Sequence, residues 1–327
     1  MPIAVTGSIA TDHLMTFPGR FADSLVVDQL DKIALSFLVD DLEIRRGGCA
    51  ANIAFGLASL GSPAVLLGAV GEDFTDYRSW LERHGVDCDS IWVSQTRHTA
   101  RFVCTTDSSM AQIASFYSGA MAEARQIELA PVAERVGGLE LVVISPNDPE
   151  AMLRHTTECR QRGYPFAADP SQQLAWADGN VIRQLVSGAT YLFSNDYEAA
   201  LTEQKTGWTP DEVLTEVGTR VITHGPRGVQ LHQAGADVIE VPAVPGVHAV
   251  DPTGVGDSFR AGFLAAVAVG LSATRAAQVG CALAAGVVET TGTQEYVLRR
   301  EPFLGRISGA YGAGAAGEVA TALPLLR

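Results

Sequence analysis

Short runs of uninterrupted apolar residues alternate along this chain with longer stretches in which apolar positions recur every three or four residues. The first kind reads as buried strand and the second as helix. PIAVTGSI (2–9), AVLLGAVG (64–71), ELVVISP (140–146) and the beginning of ATYLFSNDYEAALT (189–202) are of the first kind. CAANIAFGLASLG (49–61), DFTDYRSWLERHGV (73–86), PEAMLRHTTECRQRG (149–163), residues 181–187 and SATRAAQVGCALAAGVVET (272–290) are of the second. PFAADPSQQL (165–174) reads as a strand running into a polar loop. RVITHGPRGVQLHQAG (220–235) reads as strand, Gly-Pro-Arg-Gly turn and strand, with another strand in 236–244. The Ala- and Gly-rich segment 307–325 reads as helix. Strands and helices in this rhythm predict an α/β fold, a central mostly parallel sheet flanked by helices.

Two stretches break the rhythm. Residues 13–44 favour short strand-like pieces over a long helix. Residues 91–118 alternate without a helical pattern, with Phe102 and Phe116 in separate strand-like pieces around a polar turn at Thr105–Ser109. The spacing predicts a hairpin inserted into the α/β unit. Together the two stretches form a small β-sheet over one end of the core. Ordinary packing within that small sheet accounts for both phenylalanines at this level.

The stretch DPTGVGDSFRAGFLAAVAVG (251–270) carries the densest chemistry. A small-residue turn, Gly254-Val255-Gly256, leads into a helical apolar run with Phe259, Phe263, Leu264 and Val267. The first backbone N–H groups of a helix lack internal acceptors, so such a turn receives an anion. Asp257 stands at the same place. It fits two roles: an N-cap, or a base that takes a proton from a hydroxyl attacking phosphorus. Asp12 just beyond the first strand fits either a turn or a ligand contact at a strand end. Asn195 and Glu198, three apart at a strand–helix junction, are explained by a capping box alone. Gly225 and Gly228 fit a simple hairpin or a backbone held close to a nucleotide phosphate.

Composition narrows the field. The chain has 327 residues, 47% of them hydrophobic, enough for one large domain. With 23 Lys and Arg against 37 Asp and Glu its net charge is −14, and no basic run offers a nucleic-acid surface. An anionic ligand therefore needs a locally positive site. Five scattered cysteines, Cys49, Cys88, Cys104, Cys159 and Cys281, suit a reducing compartment and no disulfide framework. No apolar stretch has membrane-spanning length, and no secretory leader is expected, so the expected location is the cytoplasm. His155 and Cys159 are four apart on one helix, but no further ligand follows in a zinc spacing. No GxxxxGK[ST] loop occurs, and the glycine pattern after the first strand lacks the GxGxxG spacing, which sets aside P-loop chemistry and leaves dinucleotide binding little support.

Five stretches occur in an order that resembles the ribokinase-like (PfkB) family of small-molecule kinases: GSIATDH (7–13), RRGGCAANIAFGLASLG (45–61), SNDYE (194–198), THGPRG (223–228) and DPTGVGDSFRAGF (251–263). The resemblance covers almost the whole chain and implies an ATP- and Mg²⁺-dependent phosphotransferase. On these positions it implies Asp257 as general base and the backbone of Gly254, Val255 and Gly256 as anion hole. Asn195 and Glu198 would hold Mg²⁺ largely through water, with Thr223, Gly225 and Gly228 on the nucleotide side. Asp251 and Thr253 resemble a monovalent-cation loop, so K⁺ activation is expected. Pro252 departs from the Thr often found there; no role attaches to its side chain.

Within the family the sequence is similar to the actinobacterial-type adenosine kinases. That likeness implies adenosine as acceptor, phosphorylated at its 5′-hydroxyl to AMP; a sugar kinase acting on ribose or fructose is the alternative. Asp12, Gly48 and Asn52 would bind substrate hydroxyls, and Ser8 and Ser36 would add polar contacts. Phe102 and Phe116 would stack on either side of the purine, with Gln172 and Gln173 at the base edge. Residues 1–11, 45–96 and 119–327 would form the catalytic core, and 12–44 and 97–118 a lid. A homodimer through the lids is expected.

Overall fold

The uninterrupted apolar runs become the strands of one sheet, buried on both faces as such runs require. The computed structural model describes residues 1–24 and 36–323. In chain order the elements are β1 (Ile3–Thr6), β2 (Ala10–Phe17), α1 (Phe21–Ser24), β3 (Asp41–Gly47), α2 (Cys49–Ser59), β4 (Ala64–Leu67) and β5 (Ala69–Gly71). Then come α3 (Thr75–Arg83), β6 (Val86–Asp87), β7 (Trp92–Ser94), β8 (Ala100–Asp107), β9 (Gln112–Tyr117), α4 (Leu129–Val136), β10 (Leu141–Ile144) and α5 (Pro149–Arg162). They are followed by β11 (Phe166–Ala168), α6 (Gly179–Val186), β12 (Tyr191–Asn195), α7 (Asp196–Thr206), α8 (Pro210–Glu216), β13 (Thr219–Thr223), β14 (Val229–His232) and β15 (Ile239–Val241). Four helices end the chain: α9 (Val255–Ala268), α10 (Ala273–Val288), α11 (Arg300–Tyr311) and α12 (Ala313–Ala322).

Nine strands form the main sheet in the order β15-β14-β13-β12-β11-β10-β1-β4-β6. From β6 to β13 neighbours run parallel; β14 and β15 are antiparallel. Alternate residues feed two cores. Ile3, Val5, Leu66, Leu141 and Val143 face the core shared with α2, α9 and α10. Ala4, Leu67, Val142 and Ile144 face the core shared with α4, α5 and α6. The α/β sheet architecture expected from the alternating pattern is therefore the one found.

The four-stranded sheet β3-β2-β8-β9 is separate. The two irregular stretches supply it, with β2 beginning at Ala10 and the β8–β9 turn at 108–111, later than Thr105–Ser109. The run 64–71 is two strands: β4 joins the main sheet, and after Gly68 β5 pairs with β7. The segment 307–325 holds the end of α11 and all of α12, not one helix.

In the main sheet the chain moves from β1 outward to β4 on one side and from β10 outward to β13 on the other. Between β1 and β10 the strand order reverses, and their carboxyl ends open a crevice there. Ser8 follows β1 and Pro146 and Asn147 follow β10, and all three line one cavity of ≈ 500 Å³. The small sheet roofs it.

Candidate active site

The floor of the cavity is the start of α9. Gly254 precedes the helix with φ 74°, a left-handed conformation that glycine adopts without strain, and a Cβ there would lie 2.8 Å from Thr293. No side chain caps this helix, and the backbone N–H groups of Gly256 and Asp257 have no acceptor among the described residues. The turn thus offers free donors where the helix dipole favours an anion.

Asp257 is the third helical residue, so the N-cap reading does not apply. Its Oδ2 instead accepts from Asn52 Nδ2 at 2.9 Å. Burial raises its carboxyl above the usual range, while Arg260, Asn52 and Cys49 pull it back. Asn52, buried in the first turn of α2, is oriented from its other end. Its Oδ1 lies 2.8 Å from Thr293 Oγ1 and accepts from Gln294 Nε2 at 2.9 Å. Gln294 Nε2 also reaches the Tyr77 hydroxyl at 2.6 Å, and that hydroxyl donates to Gly47 O at 3.0 Å. The Asn52 amide therefore points its NH₂ at Asp257. Gly48, just before α2, has φ 95°; a Cβ there would meet Ser8 O at 2.5 Å and Ala10 N at 2.7 Å. Ser8 Oγ accepts from Cys49 N at 3.0 Å, which ties β1 to the start of α2.

The roof is set by strand register. Arg45, Asp12, Phe102 and Phe116 are successive partners across β3, β2, β8 and β9. They form one row on one face of the small sheet, and Asp12, Phe102 and Phe116 line the cavity. Burial pushes the Asp12 carboxyl up to about 6 against the pull of Arg45. The two rings stand side by side as one wall. The expectation that they flank a flat ligand from either side is not met within a single chain, because directly paired residues share a face.

Gln172 and Gln173 line the cavity on the turn after β11, and Gln173 Nε2 donates to Asn147 O at 3.0 Å. Trp176 and Met121 line it too. Ser36 is exposed and does not line it.

The nucleotide-side candidates lie along the same sheet edge. Asn195 ends β12 opposite Thr223 at the end of β13. Asn195 and Glu198 form a reciprocal capping box: Glu198 Oε2 accepts from Asn195 N and Asn195 Oδ1 from Glu198 N, both at 2.8 Å. Glu198 Oε1 accepts from Ser171 Oγ at 3.2 Å. Gly225 and Gly228 bracket a single 3₁₀ turn, as the hairpin reading requires. Asp251 Oδ1 accepts from Thr253 N, and Oδ2 from Gly292 N, both at 2.9 Å, with Arg45 Nη1 3.4 Å from Oδ2. No cluster of three His, Cys, Asp or Glu able to hold a metal occurs among the described residues. His155 is a hydrogen-bonded core residue, between Thr6 Oγ1 at 2.8 Å and Ile127 O at 3.1 Å. The five cysteines are free, and no helix among the described residues is long and apolar enough to cross a membrane.

Sequence reasoning missed Arg260, Thr293 and Gln294 as parts of this site. Arg260 was legible as a lone charge in an apolar helical run; Thr293 read only as the end of the helix before it, and nothing in the sequence marked Gln294.

The cavity can hold a polyhydroxy ligand with a flat appendage, with one hydroxyl toward Asp257 and an anion at the α9 turn. Known proteins agree with that chemistry. The pattern of the pfkB family carbohydrate kinases matches residues 11–299. Nucleoside kinases of Methanothermobacter thermautotrophicus and Methanocaldococcus jannaschii are 31% and 30% identical to the chain, over 82% and 76% of it and 86% and 80% of their own lengths. A solved Burkholderia thailandensis nucleoside kinase in complex with inosine superposes with TM-score 0.81 at 34% identity, covering 95% of this chain and 98% of that one.

Proposed function

The chain belongs to the pfkB family of carbohydrate kinases and is an ATP-dependent phosphotransferase acting on a nucleoside or sugar, and from that premise we propose that its acceptor is adenosine. The product is AMP, formed at the ribose 5′-hydroxyl. The likeness to actinobacterial-type adenosine kinases belongs to this reading. The observation that carries it is the row across the small sheet. Asp12 supplies a carboxylate for ribose hydroxyls, and Phe102 and Phe116 beside it supply a flat apolar wall for a base. A free pentose leaves that wall uncovered. The relative from Burkholderia thailandensis, solved with inosine, supports a purine nucleoside in such a cavity. The test is kcat/KM over adenosine, guanosine, inosine, ribose and fructose. Adenosine is expected to lead by about tenfold or more. A lead for ribose or fructose makes this a sugar kinase; a lead for inosine keeps the purine nucleoside and removes adenosine.

In this reading the small sheet is the lid of the catalytic core, and Asp12, Gly48 and Asn52 hold the ribose. Ser8 acts through the α2 start, and Gln172 and Gln173 meet the base edge. Asp257 takes the 5′-hydroxyl proton late, as the oxygen becomes acidic in the transition state. Gly254, Val255 and Gly256 receive the transferring phosphoryl on backbone N–H groups. Thr223, Gly225 and Gly228 lie along the bound nucleotide.

Mg²⁺ on the ATP phosphates supplies charge neutralisation for the transfer. Asn195 and Glu198 fit it as hard oxygen donors, and because both side chains already make capping bonds they would hold it through water. Glu198→Gln is expected to raise the Mg²⁺ needed for half-maximal rate and to leave nucleoside binding without ATP unchanged. Lost nucleoside affinity at fixed Mg²⁺ dependence would sink this assignment. K⁺ at Asp251 and Thr253 is read as a milder activator, because Arg45 already stands against Asp251. Exchange of K⁺ for tetramethylammonium at constant ionic strength should lower the rate without abolishing it; an unchanged rate removes the site.

The opposite face of the small sheet supports a homodimer. Leu42, Ile44, Ile113 and Tyr117 are exposed on β3 and β9, the two edge strands. By alternation they face away from Phe102 and Phe116, and an exposed apolar edge invites a second copy. Sedimentation equilibrium at micromolar protein should give twice the 34.5 kDa chain mass, and a monomer mass would overturn it.

A further inference from the structure

One cation of this site is almost wholly buried. Arg260 lies one turn into α9, and the residue is only 7% exposed. An arginine is rarely so buried unless paired. One bond accounts for part of it: Nη2 donates to Asp169 Oδ1 at 2.6 Å, and Asp169, just past β11, is 1% exposed. The guanidinium also lies over the Phe193 ring, 5.7 Å from its centroid. Its Nε is buried with no acceptor among the described residues. Nη1 lies 2.7 Å from where a Cβ of Gly256 would stand, so it rests against the turn that receives the anion. A Cβ at 256 would displace the guanidinium end from this place.

The surrounding charge is acidic. Asp257 on α9, Asp169 beyond β11 and Glu198 on α7 all act on Arg260. Cys49 and Asn52 on α2 complete the surroundings of Asp257. One arginine must balance these carboxylates while a triphosphate approaches. Resting on the kinase reading, we propose that Arg260 is the internal counter-charge of the transfer site, a positioning residue that balances Asp257 and backs the Gly254–Gly256 turn with positive charge. It acts from the protein interior, whereas a flexible lysine on the surface would be hydrated and mobile. It also answers the −14 net charge: positive potential is built in where the anion arrives.

The test is the pH profile of kcat/KM, whose acid limb reports the free enzyme's base. Arg260→Gln removes the cation but strands Asp169, so it is paired with the double variant Arg260→Gln/Asp169→Asn, in which a neutral amide pair replaces the ion pair. The sign follows from charge. Without Arg260, Asp257 holds its proton to higher pH, and the acid limb moves up by about 1–3 pH units, less in the double variant. Asp169→Asn alone removes a negative neighbour and moves the limb down or leaves it. Arg260→Lys returns it part of the way. At pH above the limb, kcat of the double variant stays about 10²-fold down for lack of charge behind the turn. A double variant with the wild-type limb and kcat overturns the proposal. So does an upward shift of equal size in Asp169→Asn, which would mean that only the integrity of the pair matters. Asp257→Asn in parallel separates the two readings. If it is inactive while the Arg260 variants behave as wild type, Arg260 alone is wrong. If it retains activity, the base is wrong and the role of Arg260 falls with it.

Discussion

Asp257→Asn is expected to lower kcat by about 10²–10⁴ while the protein stays folded. The substitution is close to isosteric, and the new amide oxygen can still accept from Asn52 Nδ2, now at 2.9 Å from Oδ2. Nucleoside and ATP affinities should therefore change little, and the loss should appear in kcat. Stability gives an independent check. Burial holds the Asp257 carboxyl above its usual range in the folded state. Between the ordinary carboxyl pKa and that raised value the folded chain binds more protons than the unfolded one. Stability thus falls as pH rises through the window, and at neutral pH the charged form is a burden. The neutral asparagine should leave Tm equal or higher at pH 7. A large loss of kcat with undiminished Tm is what a base produces and a structural residue does not. A loss below about fivefold, with the chemical step shown to limit the rate, would refute the role.

The parts of this architecture that could be read from sequence are those fixed by local pattern. β1, β10 and β12 were legible because strands buried on both faces must be apolar without interruption. α2 and α10 were legible because their small residues recur at helical spacing. What escaped depends on contacts distant in sequence. Whether β5 continues β4 or leaves it is decided after Gly68, where a Cβ would stand 2.8 Å from Gly7 O. α8 escaped although its signal was local: Thr209, Pro210 and Glu212 form a capping box with Pro in the first turn. In the site, Asp257, Asn52 and the Gly254 turn were marked by their motifs. Gln294 was not, because its role arises from Tyr77 and Asn52, both more than 200 residues away. The side-by-side placement of Phe102 and Phe116 was also hidden. Pairing register depends on where the turn falls, and a shift of one residue would send a ring to the other face.

That register shapes the second large effect expected. Phe102 is half-buried on the inner strand β8, next to Asp12 on β2, and Phe116 is 54% exposed on the edge strand β9. A purine attached to a ribose held by Asp12 meets Phe102 first. Base–aromatic stacking contributes about 1–3 kcal/mol per base, which is about 5- to 150-fold in kcat/KM. Phe102→Ala is therefore expected near the upper end of that range for adenosine, and Phe116→Ala nearer the lower. Phe102→Leu keeps apolar cover without a flat face and should fall between wild type and alanine. Ribose carries no base, so its kcat/KM should change less than about threefold in all three variants. The adenosine-to-ribose ratio is the quantity to measure, because it cancels any general damage to the small sheet. A fall shared equally by adenosine and ribose would make both rings mere packing. A larger loss at Phe116 than at Phe102 would instead place the base at the outer edge of the sheet, where a second copy of the chain could cover it.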